Sequence, residues 1–307
     1  DEPKFGRTLA VDGTLIFAGV SDVEAVYVYE KSRSGEEPWQ RVAEVGPPGG
    51  FDGDGFGQRI VASNDLLVVH APSDTRVAHV YRKSEGTVDN WKHADTLAPP
   101  EAARGDAYAL AASGETIVVG SVDDGEGAVW VYERGQRDGW EHTATIEPPP
   151  ESEPGYFGDA VSIHRDLLVV GAWSEELAGT YSGTGYALLY RRVPDGQKAW
   201  RRVAKLDASD GAEGPFFGWD VEAKANHIAV SDPGGYLGSV SMFRNPGAPT
   251  AKPDRIHTKP NRDVLIDVLV NDSHPAGTPM NVTLKELPRH GTAIVGEDGV
   301  IEYQPDW

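Results

Sequence analysis

The stretch YFGDAVSIHRDLLVVGAW, residues 156–173, decides how the rest of the chain is read. It opens on Phe157-Gly158, crosses a short apolar run, turns at His164-Arg165 and enters a denser apolar run from Leu167. The same grammar recurs along the chain. Phe5-Gly6, Phe56-Gly57 and Phe217-Gly218 introduce equivalent segments, and a degenerate copy begins at Asp106-Ala107. Their second runs are LIFAGV from Leu15, LLVVHAP from Leu66, TIVVGSV from Thr116 and HIAVSDP from His227. Five copies of one unit of about fifty residues therefore fill the first four fifths of the sequence, and a period of that size has to be settled before any element is assigned.

Each copy continues with an aromatic-rich strand: AVYVYEK from Ala25, AHVYRK from Ala78, AVWVYER from Ala128, YALLYRR from Tyr186 and SVSMFR from Ser239. Four copies add a strand led by Trp39, Trp91, Trp140 or Trp200. The unit is four strands. Its second strand is apolar at successive positions, so both of its faces are buried, as happens when sheets are wedged radially between neighbours. The fourth strand carries Arg41, Lys92, His93, Glu141, Arg201 and Arg202, the polar character of an outer rim. The expected fold class is all-β, a β-propeller of five visible blades, and the repeated tryptophans read as packing anchors.

The Phe-Gly opening and the Gly-Ala-Pro-like close of the second strand, seen as HAP at His70, GAW at Gly171 and SDP at Ser231, resemble the FG-GAP repeat family. That resemblance implies a β-propeller like those of integrin α-chain heads and of large exported bacterial proteins, and it spans about residues 5–247. Calcium-bearing members place an Asp-rich loop between the first and second strands. Here that turn is only Asp12-Gly13, Ser63-Asn64, Ser113-Gly114, His164-Arg165 or Lys224-Ala225, too short for a calcium cage. The family commonly has seven blades, so this ring is either five-bladed or has blades outside the sequence given.

Residues 1–247 are thus assigned to the propeller and 248–307 to a second module. Asn245-Pro-Gly-Ala-Pro-Thr-Ala-Lys-Pro253 reads as an extended linker, because proline restricts its own backbone and that of its predecessor. Beyond it, segments from Val264, Met280, Gly291 and Gly299 are four short strand candidates. The wording VLVNDS and PRHGTAIVGEDGVIEYQPD resembles cadherin-like or bacterial Ig-like modules. Against that pattern the segment looks like an incomplete sandwich, which would take strands from a neighbouring chain or from a longer one.

Composition narrows the partners. The 307 residues hold 36 Gly and 22 Pro, which favours many short strands over long helices or coiled coil. Forty-eight acidic against 28 basic residues give −20, which disfavours nucleic acid and anionic lipid. Cysteine is absent, so disulfides, thiolate metal sites and thiol nucleophiles are excluded. No apolar run reaches the roughly 20 residues of a membrane-spanning helix, and insertion into a membrane is not expected.

No catalytic motif emerges. The nine histidines form no His-Glu-x-x-His pattern, and no Gly-x-Ser-x-Gly elbow occurs. Asp52 and Asp54 alternate with glycine and are the nearest approach to a calcium loop, although a solvated turn is the favoured reading. Loops after the second strands gather acids, including Glu24, Asp123, Glu176 and Asp232, again read first as solvated. The longest of them holds Trp173, Tyr181 and Tyr186, where exposed aromatics beside polar groups suit a glycan or a protein, with cover for the neighbouring blade as the rival role. The expectation is a non-catalytic adhesion platform of a secreted or surface-displayed bacterial protein. A structural subunit of an extracellular assembly and a propeller-type polysaccharide hydrolase or lyase are the alternatives.

Overall fold

A computed structural model describes residues 5–32, 38–50, 55–71, 77–98, 100, 106–123, 126–135, 139–150, 155–173, 176–177, 180–181, 185–193, 199–208, 216–234, 238–246, 252–259, 262–272, 282–296 and 299–306. Two-residue hairpins drive the pairing. Asp12 faces Leu15, Ser63 faces Leu66, Ser113 faces Thr116 and His164 faces Leu167, each across a two-residue turn. The first turn residue has positive φ at Gly13, Asn64, Gly114 and Arg165, the geometry whose twist matches that of the flanking strands.

The first sheet joins β1 (Phe5–Asp12), β2 (Leu15–Val20), β3 (Ala25–Lys31) and β4 (Trp39–Val45) in chain order. The second joins β5 (Arg59–Ser63), β6 (Leu66–Ala71), β7 (Val77–Lys83) and β8 (Trp91–Leu97), and the third β9 (Asp106–Ser113), β10 (Thr116–Asp123), β11 (Glu126–Arg134) and β12 (Trp140–Ile146). In the fourth, β13 (Tyr156–His164) and β14 (Leu167–Trp173) are followed by a small ladder of β15 (Glu176–Leu177) and β16 (Thr180–Tyr181), then by β17 (Tyr186–Arg192) and β18 (Trp200–Leu206). The fifth has three strands, β19 (Val221–Ala223), β20 (His227–Asp232) and β21 (Ser239–Arg244). Every pairing is antiparallel within the four-stranded sheets. These are the blades that the repeat predicts.

One compact unit takes in residues 1–224 and 228–242. Its apolar clusters lie between sheets. Phe17, Val26 and Val28 of the first sheet pack with Phe56, Leu67 and Tyr81 of the second; Val68 and Val80 pack with Ile117 and Tyr132 of the third; Val118 and Val131 pack with Phe157 and Leu188 of the fourth. A buried Phe side chain contributes roughly 1.5–3 kcal/mol, so these anchors weigh heavily. Hydroxyl tethers reinforce the stack: Tyr81 donates to the Gly46 carbonyl and Tyr132 to that of Ala98, both at 2.7 Å. At the rim, the Trp140 amide donates to Asp95 Oδ2 at 2.6 Å, and Arg192 pairs with Glu133 across the third and fourth sheets.

Glycine sets how closely the sheets approach. A Cβ on Gly19 would stand 2.2 Å from the Gly57 carbonyl oxygen, one on Gly120 1.8 Å from that of Gly158, and one on Gly171 2.1 Å from that of Gly218. Gly57, Gly158 and Gly218 have φ near +90, which brings each carbonyl against the preceding sheet.

The second unit comprises residues 225–227 and 243–307. There β22 (Val264–Ile266), β24 (Ile301–Pro305) and β23 (Gly291–Val295) form a three-stranded sheet with β24 in the middle. The expected strand from Met280 does not form over its described part, 282–287. Past Asn245 no described residue is buried, and Leu265 and Leu287 are exposed, so no opposing face rewards that segment for pairing.

Two substitutions separate the roles of equivalent phenylalanines. Phe157→Ala, at a wholly buried site, is expected to cost about 3–5 kcal/mol in urea unfolding, against less than about 1 kcal/mol for Phe5→Ala at a half-exposed one. Gly171→Ala is expected to cost about 1–3 kcal/mol through overpacking, and an unchanged midpoint would show that the sheets can part without penalty.

Candidate functional site

The first strands of the blades surround a cavity of about 530 Å³. Its lining comes from all five blades: Thr8 and Leu9, Arg59 and Ile60, Ala109 and Leu110, Asp159 to Val161, and Trp219 with Asp220. These positions share an origin. Each pair follows closely on a Phe-Gly or its degenerate counterpart, where pairing with the second strand shifts register, between Phe5 and Thr8 and again between Phe157 and Ala160. Such a bulge re-aims the side chains that follow it.

Where the fourth and fifth blades meet, the lining brings Trp219 together with Asp159 and Asp220, and Trp173 packs against Trp219. Trp173, the last residue of β14, pairs with Tyr156, and their rings stack at 4.0 Å with only 4° between planes. Trp219 lies 4.8 Å from Trp173 at 41°, and Phe216 lies 6.1 Å away. Trp173 Nε1 donates to Asp159 Oδ2 at 2.7 Å, which fixes the indole and the carboxylate together. Trp219 remains 44% exposed and offers a ring to solvent.

Asp220 is electrostatically uncomfortable. Burial is the main force raising its carboxyl above the ordinary 3.8; the Val221 amide, donating at 2.9 Å, opposes it, and the charges of Glu222 and Asp159 add to the rise. An aromatic platform with one anchored carboxylate and one reluctant one can stack on an apolar ring face and accept hydrogen bonds from hydroxyls.

Of the residues singled out in the sequence, Trp173 belongs to this cluster. Tyr186 does not: it opens β17 only 7% exposed, with Lys205 Nζ 5.1 Å above its ring, so it serves packing and the expectation of exposure there is corrected. Tyr181 has its backbone in β16, while its side chain lies outside the described residues, as do Asp52 and Asp54. Two loop acids expected to face solvent are buried and bound to backbone: Glu24 Oε1 accepts from the Gly55 amide at 3.1 Å, and Asp232 Oδ1 from that of Gly234 at 2.9 Å. Among the described residues, no group of three or more His, Asp or Glu is placed to hold a metal ion. No described helix is long and apolar enough to cross a membrane.

Sequence reasoning missed Tyr156, Asp159, Trp219 and Asp220. A signal was available, since Asp159 and Trp219 both directly follow a Phe-Gly, but it becomes legible only once that pair is known to sit at the inner end of a blade.

Residues 140–188 and 200–243 match the FG-GAP repeat, and residues 246–307 match the bacterial Ig domain. No curated protein matches. Among solved structures, the chain is similar to Saccharomyces cerevisiae Sqt1 at 12% identity and TM-score 0.37, covering 99% of this chain and 97% of that one. It is also similar to the computationally designed Ika4 protein at 15% and 0.37, covering 56% and 87%, and to U3-55K at 13% and 0.44, covering 71% and 57%.

A carboxyl whose pKa rises on folding binds its proton more tightly in the folded state, so its contribution to stability falls as pH climbs from 3.8 through the folded value. Asp220→Asn removes that liability. Thermal unfolding at pH 7 is expected to shift upward in the variant, with the gap closing as pH drops below 3.8; a lower midpoint at pH 7 would contradict the assignment.

Proposed function

We propose that this chain, which carries FG-GAP repeats and a bacterial Ig domain, is a binding platform of a secreted or surface-displayed bacterial protein, taking a glycan at the Trp173 and Trp219 mouth. Both kinds of module fit an extracellular binding or adhesion role and are typically non-catalytic. The observation that carries the reading is the half-open Trp219 ring set beside the fixed Trp173 and the two carboxylates.

The chemistry favours an uncharged polyhydroxyl ligand over a cation. Arg59 shares the cavity with the two acids, so the lining is less anionic than the count of acids suggests. A sugar ring brings an apolar C–H face for the indole and hydroxyls for Asp159 and Asp220. A basic peptide segment would use the same aromatic faces through its cationic side chains.

A second reading draws on one specific observation. Two carboxylates in one cavity, one of them raised, are also the equipment of a glycoside hydrolase, with Asp220 as acid. The tie between Asp159 and the Trp173 indole speaks for a positioned acceptor over a free base.

Glycan-array binding followed by titration calorimetry tests the proposal. Trp219→Ala is expected to weaken the best ligand at least about tenfold, or about 1.4 kcal/mol, with unfolding unchanged. Undiminished affinity would remove Trp219 from the site. Release of reducing ends from oligosaccharides, lost in Asp220→Asn, would establish the hydrolase instead.

A further inference from the structure

The third and fourth strands of each four-stranded blade share one irregularity. Pairing slips by a residue after Val28, Val80, Val131 and Leu189, so that the tyrosine which follows, Tyr29, Tyr81, Tyr132 or Tyr190, faces Arg41, His93, His142 or Arg202. Such a bulge bends the fourth strand and re-aims its side chains. It lets a residue meet the one three positions on. In the first blade these are Arg41 and Glu44, an ion pair at 3.4 Å; in the third they are His142 and Thr145, with Nε2 3.0 Å from Oγ1.

The second blade brings a second imidazole to this point. His93 Nε2 lies 3.0 Å from Thr96 Oγ1, and His79, which faces Thr96 across the ladder, places its Nδ1 3.1 Å from the same oxygen. The position of His79 is held by Tyr27, Trp130 and Leu188 in the other four-stranded blades. Two ring nitrogens from neighbouring strands thus aim at one spot, their rings 5.6 Å apart at 63°. The floor beneath is fixed: wholly buried Phe56 lies 5.9 Å from His79, and Tyr81, tied by its hydroxyl to the Gly46 carbonyl, lies 5.4 Å from His93. His93 and Thr96 are exposed and His79 is half-buried, so an ion can reach the spot from solvent.

A hydroxyl has one proton to give, so with both rings neutral one nitrogen accepts from Thr96 and the other donates to it. A late first-row divalent metal takes lone pairs from both at once, and imidazole is among its preferred ligands. Bonds of about 2.0–2.1 Å require each nitrogen to close in by about 1 Å, which a side-chain rotation supplies. Asp95 is occupied elsewhere, accepting from the amides of Thr96 and Trp140. We propose that His79 Nδ1 and His93 Nε2 form a two-imidazole site for a late first-row divalent metal ion, held most tightly as copper(II), with water completing the coordination. None of these residues lines the central cavity, so the site is separate from the glycan mouth. A metal there clips β7 to β8, and the net charge of −20 favours the cation's approach.

Titration calorimetry of the 307-residue chain with copper(II), in the presence of excess calcium, tests this. His79→Asn and His93→Asn should each weaken the site at least about tenfold. His142→Asn, in the one-histidine counterpart on the third blade, should leave it unchanged. Electron spin-echo spectroscopy of the copper-loaded wild type needs no variant and should resolve two coordinated imidazoles. Copper should also raise the Tm of the wild type more than that of His93→Asn, since an ion that binds the folded state stabilises it. A single coordinated imidazole, undiminished affinity in His93→Asn, or an equal loss in His142→Asn, meaning ions spread over surface histidines, would overturn the proposal.

Discussion

The contact on which the architecture turns is a backbone carbonyl pressed against a glycine of the neighbouring sheet. At Gly19, Gly120 and Gly171 the approach leaves no room for even a methyl group. That closeness lets the adjoining phenylalanine reach full burial, and it places the Val and Leu of one third strand within reach of the next blade's second strand. Phe and Gly are therefore one device. The ring supplies apolar area, and the glycine supplies a backbone turn that a side chain would strain. Where the device is degenerate, at Asp106-Ala107, the preceding blade carries His70 in place of glycine, so the two halves of the contact vary together within a single chain.

The same bulge that seats the phenylalanine turns the following residues into the central cavity. Scaffold and cavity wall are thus encoded side by side. Thr8, Arg59, Ala109, Asp159 and Trp219 occupy related places yet share no chemistry, so the cavity wall is uneven. Among the described residues of this wall, aromatic rings and carboxylates meet between the fourth and fifth blades. Rigid repeated strands presenting unlike side chains to one opening is how a repeat protein gains specificity without changing its fold.

The blades were legible in the sequence because the signal is repeated and physical: doubly apolar second strands, tight turns and rim tryptophans all recur, and local preference agrees with the tertiary arrangement. The site was less so. Trp173 stood out as an aromatic at a strand end, but Tyr186 looked alike and is buried, because composition cannot tell which side of a strand faces a neighbour. Glu24 and Asp232 were hidden for a related reason: an acid that caps backbone amides reads the same as a solvated one. In the second unit, alternation alone overstated order at 282–287, since a strand needs a partner as well as a pattern.

Asp220 is placed differently from the paired charges of the fold. Several charges elsewhere are spent on opposite partners, as with Arg192 and Glu133, Lys83 and Asp65, or Arg191 and Asp166, and the buried Glu24 and Asp232 accept from backbone amides. Here an acid is partly withdrawn from water beside two further acids, with a backbone amide as its main compensation. Folding alone would be better served by a neutral side chain at that position. A local choice that opposes stability, placed in a cavity wall next to an exposed indole, is the kind of inconsistency that marks function in an otherwise self-consistent sequence. The same physics predicts its remedy: a ligand hydroxyl hydrogen-bonded to Asp220 would replace part of the lost hydration, so occupancy of the mouth and comfort of the fold should rise together.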